Sequence, residues 1–270
     1  MGQLYSRCSD GTVRQAMRFP VFDFLRTRFA AMPKARHGAV LAMALLVAAC
    51  AGLEPRLPRP TDYPVHGIDL SRYQGDVDWV AARQGGVAFA WIKATEGGDY
   101  LDPMFMTSWN AAKAAGVPRG AYHFWYFCRP VQEQLAWFIA NVPYDPDALP
   151  VVMDMEWNNE SKICRHRPTR DEMLRDMQIF ANGIEQYYGK RPVIYTSVDF
   201  HEDVLDGSFN GHHLWVRSVA GHPSTRYGSR RWAFWQYTAE GRVPGVKGNV
   251  DRNAFVGSLT DWRQFLSGRY

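Results

Sequence analysis

The chain has 270 residues, of which 46% are apolar and 14% aromatic. It can therefore bury a full core and is not a disordered chain. The formal net charge is +4, but residues 1–50 alone hold seven Lys or Arg against two Asp, which leaves −1 for the remainder. The basicity belongs to the N-terminal segment and gives no support for nucleic-acid binding by the main domain.

The N-terminal segment has the pattern of an export signal. Residues 38–49 (GAVLAMALLVAA) form an apolar run that follows basic residues and ends at Cys50. The run is too short to span a bilayer, which takes about 20 apolar residues, but it fits the core of a signal peptide. Because its end resembles the lipobox of bacterial lipoproteins, we predict a signal peptide over 32–50 and lipidation of Cys50. The residues before Met32 fit neither a signal nor a domain, so we predict an over-extended start over 1–31. The alternatives are an ordinary secretory signal with a chance cysteine and a buried helix of a longer domain.

The segment after the leader differs from the rest of the chain. Residues 51–64 (AGLEPRLPRPTDYP) are rich in proline and lack apolar periodicity, which predicts a semi-extended tether. From residue 65 to residue 270, strand-like apolar runs alternate with helical patterns, without a linker or a low-complexity break. This continuity predicts one domain over 65–270.

The predicted elements have the order of an α/β protein. Helical patterns cover Trp79–Gln84, Met104–Ala115, Val131–Asn141 and Pro168–Tyr188. Strand-like runs cover His66–Leu70, Val87–Ala94, Gly120–Phe127, Val151–Glu156, Pro192–Thr196, Leu214–Ser218, Trp232–Tyr237 and a short segment near Val250. Strand–helix units followed by strands with little helix between them predict an irregular, TIM-like β/α barrel with helices missing from its second half. In such barrels the catalytic groups lie where the strands end.

Two carboxylates follow the central predicted strand, Asp154 and Glu156 in PVVMDMEW (150–157). Because side chains alternate between the two faces of a strand, residues two apart point to the same side. Like charges placed close together raise the proton affinity of one of them, which is the arrangement that glycoside hydrolysis uses. Such a pair alone could equally be an ordinary strand end whose acids cap a helix or face solvent. However, Asp69 and Asp251 also stand at predicted strand ends.

Aromatic residues accompany these acids at the strand ends. Aromatic faces beside polar groups suit sugar rings, which offer C–H bonds for stacking and hydroxyls for hydrogen bonds. Barrel interiors are also aromatic for purely structural reasons, so each position is an expectation only. The candidate sugar-binding residues are Tyr122, Phe124, Tyr195, Trp215, Trp235, Gln236 and Tyr237.

The chain has four cysteines. Cys8 lies in the over-extended start and Cys50 at the predicted lipidation site, which leaves Cys128 and Cys164. In an exported protein such a remaining pair predicts a disulfide, with two free buried thiols or half of a metal site as the alternatives. Neither cysteine belongs to a C-x-x-C pattern or accompanies an H-x-x-x-H pattern, so we expect no metal.

A set of short motifs recurs in order along the domain: GIDLSRYQG (67–75), WIKATEG (91–97), GAYHF (120–124), VVMDME (151–156), VIYTS (193–197), FWQYT (234–238) and GNVD (248–251). This ordered set resembles the successive motifs of the family 25 glycoside hydrolases, which are muramidases also called Chalaropsis-type lysozymes. The resemblance runs from about His66 to Phe255. It implies an irregular β/α barrel that hydrolyses the β-1,4 bond between N-acetylmuramic acid and N-acetylglucosamine in peptidoglycan, without a cofactor.

The resemblance also implies roles for the acids. Glu156 matches the general acid, and Asp154 matches the carboxylate that assists attack by the substrate's own N-acetyl group. Asp69 and Asp251 match flanking acids of the same pocket. Substrate assistance removes the need for an enzyme nucleophile, so the carboxylate separation of ordinary retaining glycosidases is not the relevant measure here.

One segment departs from the family pattern. Where the family usually has something like W-I-A-x-Y on the sixth strand, this chain has LWVRS (214–218), so one wall of the sugar groove differs while the acids are unaffected. Lys93 and Glu96 also match family positions, either as a structural ion pair or as substrate contacts.

The sequence thus predicts an exported, lipid-anchored and monomeric muramidase of the bacterial cell envelope. Its partners would be peptidoglycan glycan strands and, through the lipid alone, a membrane. Two alternatives remain open at this point. One is a catalytically silent peptidoglycan-binding lipoprotein, and the other is a related hydrolase of chitin-like N-acetylglucosamine polymers.

Overall fold

The computed structural model describes residues 56–159 and 161–270. The predicted start over 1–31, the signal peptide over 32–50 with Cys50, and the first five tether residues lie outside this range. Within it, residues 57–270 form a single unit. No helix in these ranges combines the length and the apolar character needed to cross a membrane.

Nine strands in the described part of the chain form one sheet. Their bounds are β1 (Val65–Leu70), β2 (Phe89–Glu96), β3 (Tyr100–Leu101), β4 (Arg119–Phe124), β5 (Val152–Met155), β6 (Val193–Thr196), β7 (Leu214–Arg217), β8 (Phe234–Gly241) and β9 (Val250–Phe255). Each predicted strand is present, with ends that differ from the prediction by a few residues.

The helices follow the strands mainly in the first half of the chain. Their bounds are α1 (Trp79–Gln84), α2 (Phe105–Ala114), α3 (Val131–Asn141), α4 (Arg170–Tyr188), the short α5 (Val198–Phe200), which continues as a π-helical turn (His201–Leu205), and α6 (Leu259–Leu266). Short 3₁₀ turns cover Pro60–Asp62, Arg72–Gln74 and Pro223–Thr225. The prediction did not include α5 or α6.

Helix α4 shows how local sequence sets an element's ends. The hydroxyl of Thr169 accepts a hydrogen bond from the amide of Glu172, and the Glu172 carboxylate accepts one from the Thr169 amide at 2.8 Å. This reciprocal capping box satisfies amides that have no partner within the helix. At the other end, Gly189 adopts φ 72°, a left-handed conformation that glycine enters without a steric penalty.

The sheet closes into a barrel because β1 pairs with both β2 and β9. Seven of the eight barrel strands run parallel, whereas β9 runs antiparallel to β8 and to β1. The ninth strand, β3, forms only a small hairpin with β2. The predicted fold class, an irregular α/β barrel with helices missing from its second half, is confirmed. The reversed direction of β9 was not predicted.

One end of the barrel, which we call the floor, is closed by helix α6. The rings of Trp262 and Phe265 stack on each other and contact Phe255 at the end of β9. Phe234 and Phe89, which begin β8 and β2, pack against the same cluster. All five side chains are buried. The floor is therefore an apolar plug built from aromatic rings.

Along each strand, the inward side chains change from apolar at the floor to polar at the other end, which we call the mouth. On β2, the inward positions pass from Phe89 through Trp91 to Lys93, and on β5 they pass from Val152 to Asp154. Because inward positions recur every second residue, each step moves the side chain about 7 Å toward the mouth. The polar groups are thus collected at the carboxyl ends of the parallel strands.

One glycine is required by this packing. A Cβ atom at Gly67 would lie 2.4 Å from Cε2 of Phe89, well inside the contact distance of two carbon atoms. The absence of a side chain at Gly67 lets the Phe89 ring fill the barrel below Asp69. The glycine of the first motif therefore has a packing role in the layer under the acids.

Candidate active site

Four carboxylates lie at the mouth of the barrel. Asp154 is on β5 and Glu156 comes directly after it, while Asp69 on β1 is aligned with Asp251 on β9. The antiparallel direction of β9 matters here, because it places the start of that strand beside the end of β1. All four predicted acids are therefore brought to one end of the barrel, where each is within electrostatic reach of at least one other.

A hydrogen-bond network holds Asp69 in place. Its carboxylate accepts hydrogen bonds from Nδ2 of Asn253 at 2.8 Å and from Nε2 of Gln236 at 3.1 Å. The Gln236 amide oxygen accepts a bond from the Tyr195 hydroxyl at 2.9 Å, and the Asn253 amide oxygen accepts one from the Trp215 indole at 2.8 Å. Both amides are thereby oriented with their NH₂ groups toward Asp69.

Asp154 has the opposite environment. Its side chain is 8% exposed, and its Oδ1 atom is buried without a hydrogen-bond partner in the described ranges. Burying an oxygen acceptor without a donor is unfavourable, so groups of this kind are uncommon in folded proteins. Glu156, two residues further along, is only half-buried. Asp154 thus offers a buried oxygen that can still accept a hydrogen bond.

Burial is the first cause that raises the pKa of each of the four acids above its ordinary value. Neighbouring charge adds to it: Asp251 raises the pKa of Asp69 further, and Glu156 raises that of Asp154. Both effects disfavour the ionised form. The sequence predicted the repulsion between carboxylates, but the larger contribution of burial depends on the depth of the pocket.

Two cations moderate these shifts. Burial raises the pKa of Glu156 and of Asp251, and the charge of Arg217 opposes that rise at both acids. Lys93 has the same lowering effect on the pKa of Asp154. The pKa values of the acids at the mouth are therefore set by burial and by different neighbouring cations. Such perturbed pKa values are typical of active sites.

Lys93 and Glu96 form an ion pair in the structure. The Lys93 Nζ atom lies 2.7 Å from Oε2 of Glu96 and 4.6 Å from the centroid of the Phe124 ring. The sequence left open whether these two residues pair with each other or contact a substrate. The structure contains the pair, and it holds the ammonium group over the aromatic wall of the mouth.

The predicted aromatic residues divide into three groups. Tyr122 and Phe124 on β4 are half-buried beside the acids. Tyr195 and Trp215 lie deeper and are buried, and Trp215 stacks on Trp91 with ring centroids 4.7 Å apart. Tyr195 and Trp215 thus form the layer under the acids and orient the amides described above. Only the first pair lines the mouth itself.

Trp235 and Tyr237 form the third group, and the structure does not bring them to the acids. The Trp235 indole donates a hydrogen bond to the Ser218 carbonyl oxygen at 2.8 Å, and the Tyr237 hydroxyl contacts Nδ1 of His66 at 3.2 Å. Trp235 precedes Gln236, whose side chain faces inward, and so lies on the outer face of β8. Tyr237 lies at a register shift between Gln236 and Thr238, and its ring packs against His66 rather than the acids. The motif FWQYT has aromatic residues on both faces, and sequence alone cannot assign which face is internal.

Asn253 was not among the predicted site residues, although its side chain donates to Asp69. A signal for it existed in the sequence. Asn253 follows Asp251 by two positions on a predicted strand, so the two residues had to share a face. The pair Asp251 and Asn253 thus has the same i, i+2 spacing as Asp154 and Glu156.

A disulfide joins Cys128 and Cys164 in the structure, with their Cα atoms 5.7 Å apart. It links the segment after β4 to the segment after β5. The neighbouring Trp157 is held by a hydrogen bond from its indole to Asp203 at 2.8 Å and by the guanidinium of Arg167 over its ring. These contacts order the chain directly beyond Glu156.

The volume of a cavity alone would not identify this site. A groove of about 1250 Å³ lies near the starts of β7 and β8, at the floor side, and its lining includes none of the four acids. Among the residues that the structure describes, no three His, Cys, Asp or Glu side chains are grouped to hold a metal ion. The site is defined by its converging carboxylates and hydrogen-bond donors.

Comparison with known proteins agrees with this arrangement. The model of the glycosyl hydrolases family 25 matches residues 68–246, which include the three acids Asp69, Asp154 and Glu156. The match covers more than half of the chain. The chain therefore belongs to glycosyl hydrolase family 25.

Individual relatives support the same family. Lysozyme M1 of Streptomyces globisporus is 37% identical over 225 residues, which are 77% of this chain and 74% of that protein. An uncharacterized protein, YegX, of Escherichia coli O157:H7 is 34% identical over 216 residues, 77% of this chain and 76% of its own length. The crystal structure of a bacterial lysozyme from Streptomyces coelicolor matches with a TM-score of 0.69 and 34% identity, covering 76% of this chain and 98% of that one.

Proposed function

We propose that this protein is an N-acetylmuramidase, which hydrolyses the β-1,4 bond between N-acetylmuramic acid and N-acetylglucosamine in peptidoglycan. The observation that carries the proposal is the pair Asp154 and Glu156 at the mouth of a family 25 barrel, with Asp69 and Asp251 beside it. The similarity to proteins named as lysozymes supports the same substrate.

Glu156 is the proposed general acid. Burial raises its pKa, so the side chain keeps a proton at a pH where an ordinary glutamate has lost it. A protonated carboxyl can donate to the glycosidic oxygen as the bond to the anomeric carbon breaks. After that step Glu156 is a carboxylate, and it accepts a proton from the water that completes hydrolysis.

Asp154 is the proposed partner of the substrate's N-acetyl group. Its unpartnered Oδ1 can accept a hydrogen bond from the acetamido N–H, and this bond aligns the acetamido oxygen for attack on the anomeric carbon. In the free protein, burial raises the pKa of Asp154, which favours its protonated form. A bound N–H donor favours the ionised form again. With the substrate bound, Asp154 is therefore ionised while Glu156 keeps its proton.

Asp69 and Asp251 are proposed to stabilise the positive charge that develops on the sugar. Asp69 is fixed by donors from Gln236 and Asn253, so its orientation does not have to change during the reaction. A preorganised charge of this kind acts without the reorganisation that solvent would need. The half-buried rings of Tyr122 and Phe124 would form the wall on which a sugar packs.

We also propose that the protein is exported and anchored by a lipid on Cys50, with the catalytic domain as a monomer and without a cofactor. The leader pattern over 32–50 and the pairing of Cys128 with Cys164 support an oxidising compartment outside the cytoplasm. Metabolic labelling with a fatty acid analogue tests the anchor directly. Label should enter the full-length protein and be absent from a Cys50→Ala variant.

The test of the activity uses residues 51–270 incubated with purified sacculi. Released fragments are reduced with borohydride and identified by mass spectrometry, because the reduced sugar reports which bond was cut. We expect N-acetylmuramitol ends. The Glu156→Gln variant should lower the rate by about 10²–10⁴-fold, the usual contribution of a general acid. A Glu202→Gln variant, which changes an exposed glutamate away from the mouth, serves as the matched control.

The same assay separates the alternatives. A folded protein that binds sacculi but releases nothing would indicate a silent peptidoglycan-binding lipoprotein instead. Faster cleavage of soluble chitooligosaccharides than of peptidoglycan would indicate a hydrolase of N-acetylglucosamine polymers. N-acetylglucosaminitol ends from sacculi would contradict the assigned bond.

A further inference from the structure

Arg217 is the last residue of β7, and its position directs it toward the mouth. Trp215, two residues earlier, points into the barrel, since its indole donates to Asn253 at 2.8 Å. Side chains two apart on a strand share a face, so Arg217 continues this inward row one level higher. Its partner in register is Gln236, whose amide contacts Asp69. Arg217 thus stands directly above the network that holds the acids.

The backbone at Arg217 is fixed on both sides. The Tyr227 hydroxyl contacts the carbonyl oxygen of Arg217 at 2.8 Å and that of Thr196 at 3.1 Å, which ties the end of β7 to the end of β6. The amide of Ser218 donates to the carbonyl oxygen of Gln236 at 3.0 Å. The base of the arginine side chain is therefore positioned by the fold.

The guanidinium group itself has no hydrogen bond, ion pair or ring contact with any residue in the described ranges, and the side chain is exposed. Lys93, whose charge also acts on Asp154 and Glu156, is paired with Glu96 at 2.7 Å. The charge of Arg217 nevertheless acts on both Glu156 and Asp251. An unpaired, long cation thus stands at the rim of a cluster of acids.

Such a cation fits an anionic substrate. Muramic acid differs from N-acetylglucosamine by a lactyl ether whose carboxyl group is either free or linked to a peptide with carboxylates of its own. A cluster of acids repels such groups, whereas a guanidinium binds a carboxylate through two parallel hydrogen bonds. We propose that Arg217 determines specificity by binding a carboxylate of the muramic acid residue or of its peptide, next to the bond that is cut. The proposal rests on the muramidase function proposed above.

The experiment measures kcat/KM on three forms of the same glycan strands. The first has its peptides removed by an amidase and exposes the lactyl carboxylate, the second is this form with its carboxylates converted to methylamides, and the third retains its peptides. We expect Arg217→Ala to lower kcat/KM by about 10-fold or more on carboxylated strands, as for loss of a hydrogen-bonded charge. On the methylamide form the change should stay within about two-fold, and Arg217→Lys should fall between, because a lysine keeps the charge without the planar fork.

The three substrates distinguish the source of the carboxylate. A loss confined to peptide-free strands identifies the lactyl group, and a loss confined to peptide-bearing strands identifies the stem peptide. An equal loss on charged and neutralised strands would overturn the proposal. The matched control is Arg231→Ala, which removes an exposed arginine from the segment before β8, at the other end of the barrel. Thermal unfolding of each variant checks that the fold is kept.

Binding provides a readout that does not depend on turnover. Equilibrium binding of carboxylated and methylamide strands is measured for the unmutated protein and for Arg217→Ala. If no strand is cleaved, the muramidase function fails, yet an Arg217-dependent preference for carboxylated strands would still support the binding role. Cleavage without any such preference, in rate or in binding, would leave the function standing and refute the inference.

Discussion

The two ends of this barrel are built from the same strands and have opposite physical character. At the floor, the inward side chains are aromatic, fully buried and in contact with one another, as Phe89, Phe234 and Phe255 are. At the mouth, the inward side chains are carboxylates whose pKa values are raised by burial, and one of them, Asp154, has a buried oxygen without a hydrogen-bond partner in the described part of the chain. Strand β9, for example, carries a stabilising residue, Phe255, and a destabilising one, Asp251, about 13 Å apart.

The difference shows how stability and chemistry are separated in the fold. Burial of an aromatic side chain removes apolar surface from water and stabilises the folded state. Burial of several carboxylates in one pocket opposes folding at neutral pH, because each ionised group loses its hydration and repels the others. We therefore expect changes at the floor to alter stability alone, and changes at the mouth to alter activity with little loss of stability.

The largest expected effect comes from opening the floor. Phe255→Ala removes a ring that contacts Phe234, Trp262 and Phe265, and it leaves a cavity that a closed barrel cannot easily fill. The free energy of unfolding should fall by about 3–5 kcal/mol. Chemical denaturation measures this, while kcat/KM below the unfolding temperature should stay close to that of the unmutated protein.

The matched control for this change is Phe255→Leu, which keeps much of the apolar volume and should cost about 1–2 kcal/mol. A large fall in kcat/KM of folded Phe255→Ala would contradict the separation of the two ends. It would mean that the acids about 13 Å away along β9 depend on floor packing for their positions.

The next largest expected effect on stability comes from His123 on the outer face of the barrel, and it depends on pH. His123 on β4 is fully buried, with Nδ1 2.7 Å from the Thr95 hydroxyl and Nε2 3.0 Å from Oε1 of Gln134. Burial lowers the pKa of His123 from 6.5 to about 4. Between these values the unfolded chain binds a proton that the folded chain does not, so stability falls as the pH falls from about 6.5 to about 4.

The contribution of His123 should reach about 3 kcal/mol at pH 4, since one pKa unit corresponds to about 1.4 kcal/mol. It is measured as the difference in unfolding free energy between the unmutated protein and His123→Gln across this pH range. Comparing the two proteins is necessary because protonation of the acids at the mouth stabilises the folded state as the pH falls, opposite to the effect of His123. This contribution is the same in both proteins and cancels in the difference between their unfolding free energies. A difference that does not change with pH would refute the buried, neutral state of His123.

The smallest expected change in stability comes from neutralising the mouth. Asp154→Asn removes a carboxyl group whose pKa is raised by burial and by Glu156, so the protein should gain about 1 kcal/mol at pH 7. The gain should disappear as the pH falls toward the ordinary pKa of aspartate, because the carboxyl of the unfolded chain is then protonated, as the native one already is at higher pH. Activity on peptidoglycan should fall by about 10²-fold, as on loss of one preorganised polar group.

Denaturation at pH 7 and at pH 4.5 beside the sacculus assay checks both parts of this prediction. A loss of stability at pH 7 would show that Asp154 is held by favourable contacts rather than tolerated for its chemistry. Full activity in the variant would remove Asp154 from the proposed mechanism.

Much of this architecture was predicted from local pattern. The helices α1 and α3 have the predicted bounds, because their apolar spacing and their flanking glycine or proline residues are local signals. The terminal helix α6 was missed, although Ser258 and Asp261 form a capping box at its start. This helix follows the last of the strand motifs and is only eight residues long, so its apolar pattern is a weak signal.

The site was predicted in part for the same reason. Asp154 and Glu156 share a side because strand geometry requires it, whatever the rest of the chain does. The roles given to Trp235 and Tyr237 depended on which face of β8 turns inward, and that face is selected by pairing with β7 and β9. A shift of one residue exchanges the two faces completely.

The sequence by itself determined the alternation of strands and helices, the capping of α4, and the two carboxylates on one side of β5, because each depends on residues a few positions apart. The tertiary structure decided which groups meet. It turned β9 antiparallel so that Asp251 lies beside Asp69, and it left the guanidinium of Arg217 above them without a partner among residues 56–159 and 161–270. These outcomes depend on contacts such as that between Asn253 and Asp69, 184 residues apart, whose formation is governed by closure of the whole barrel rather than by local preference.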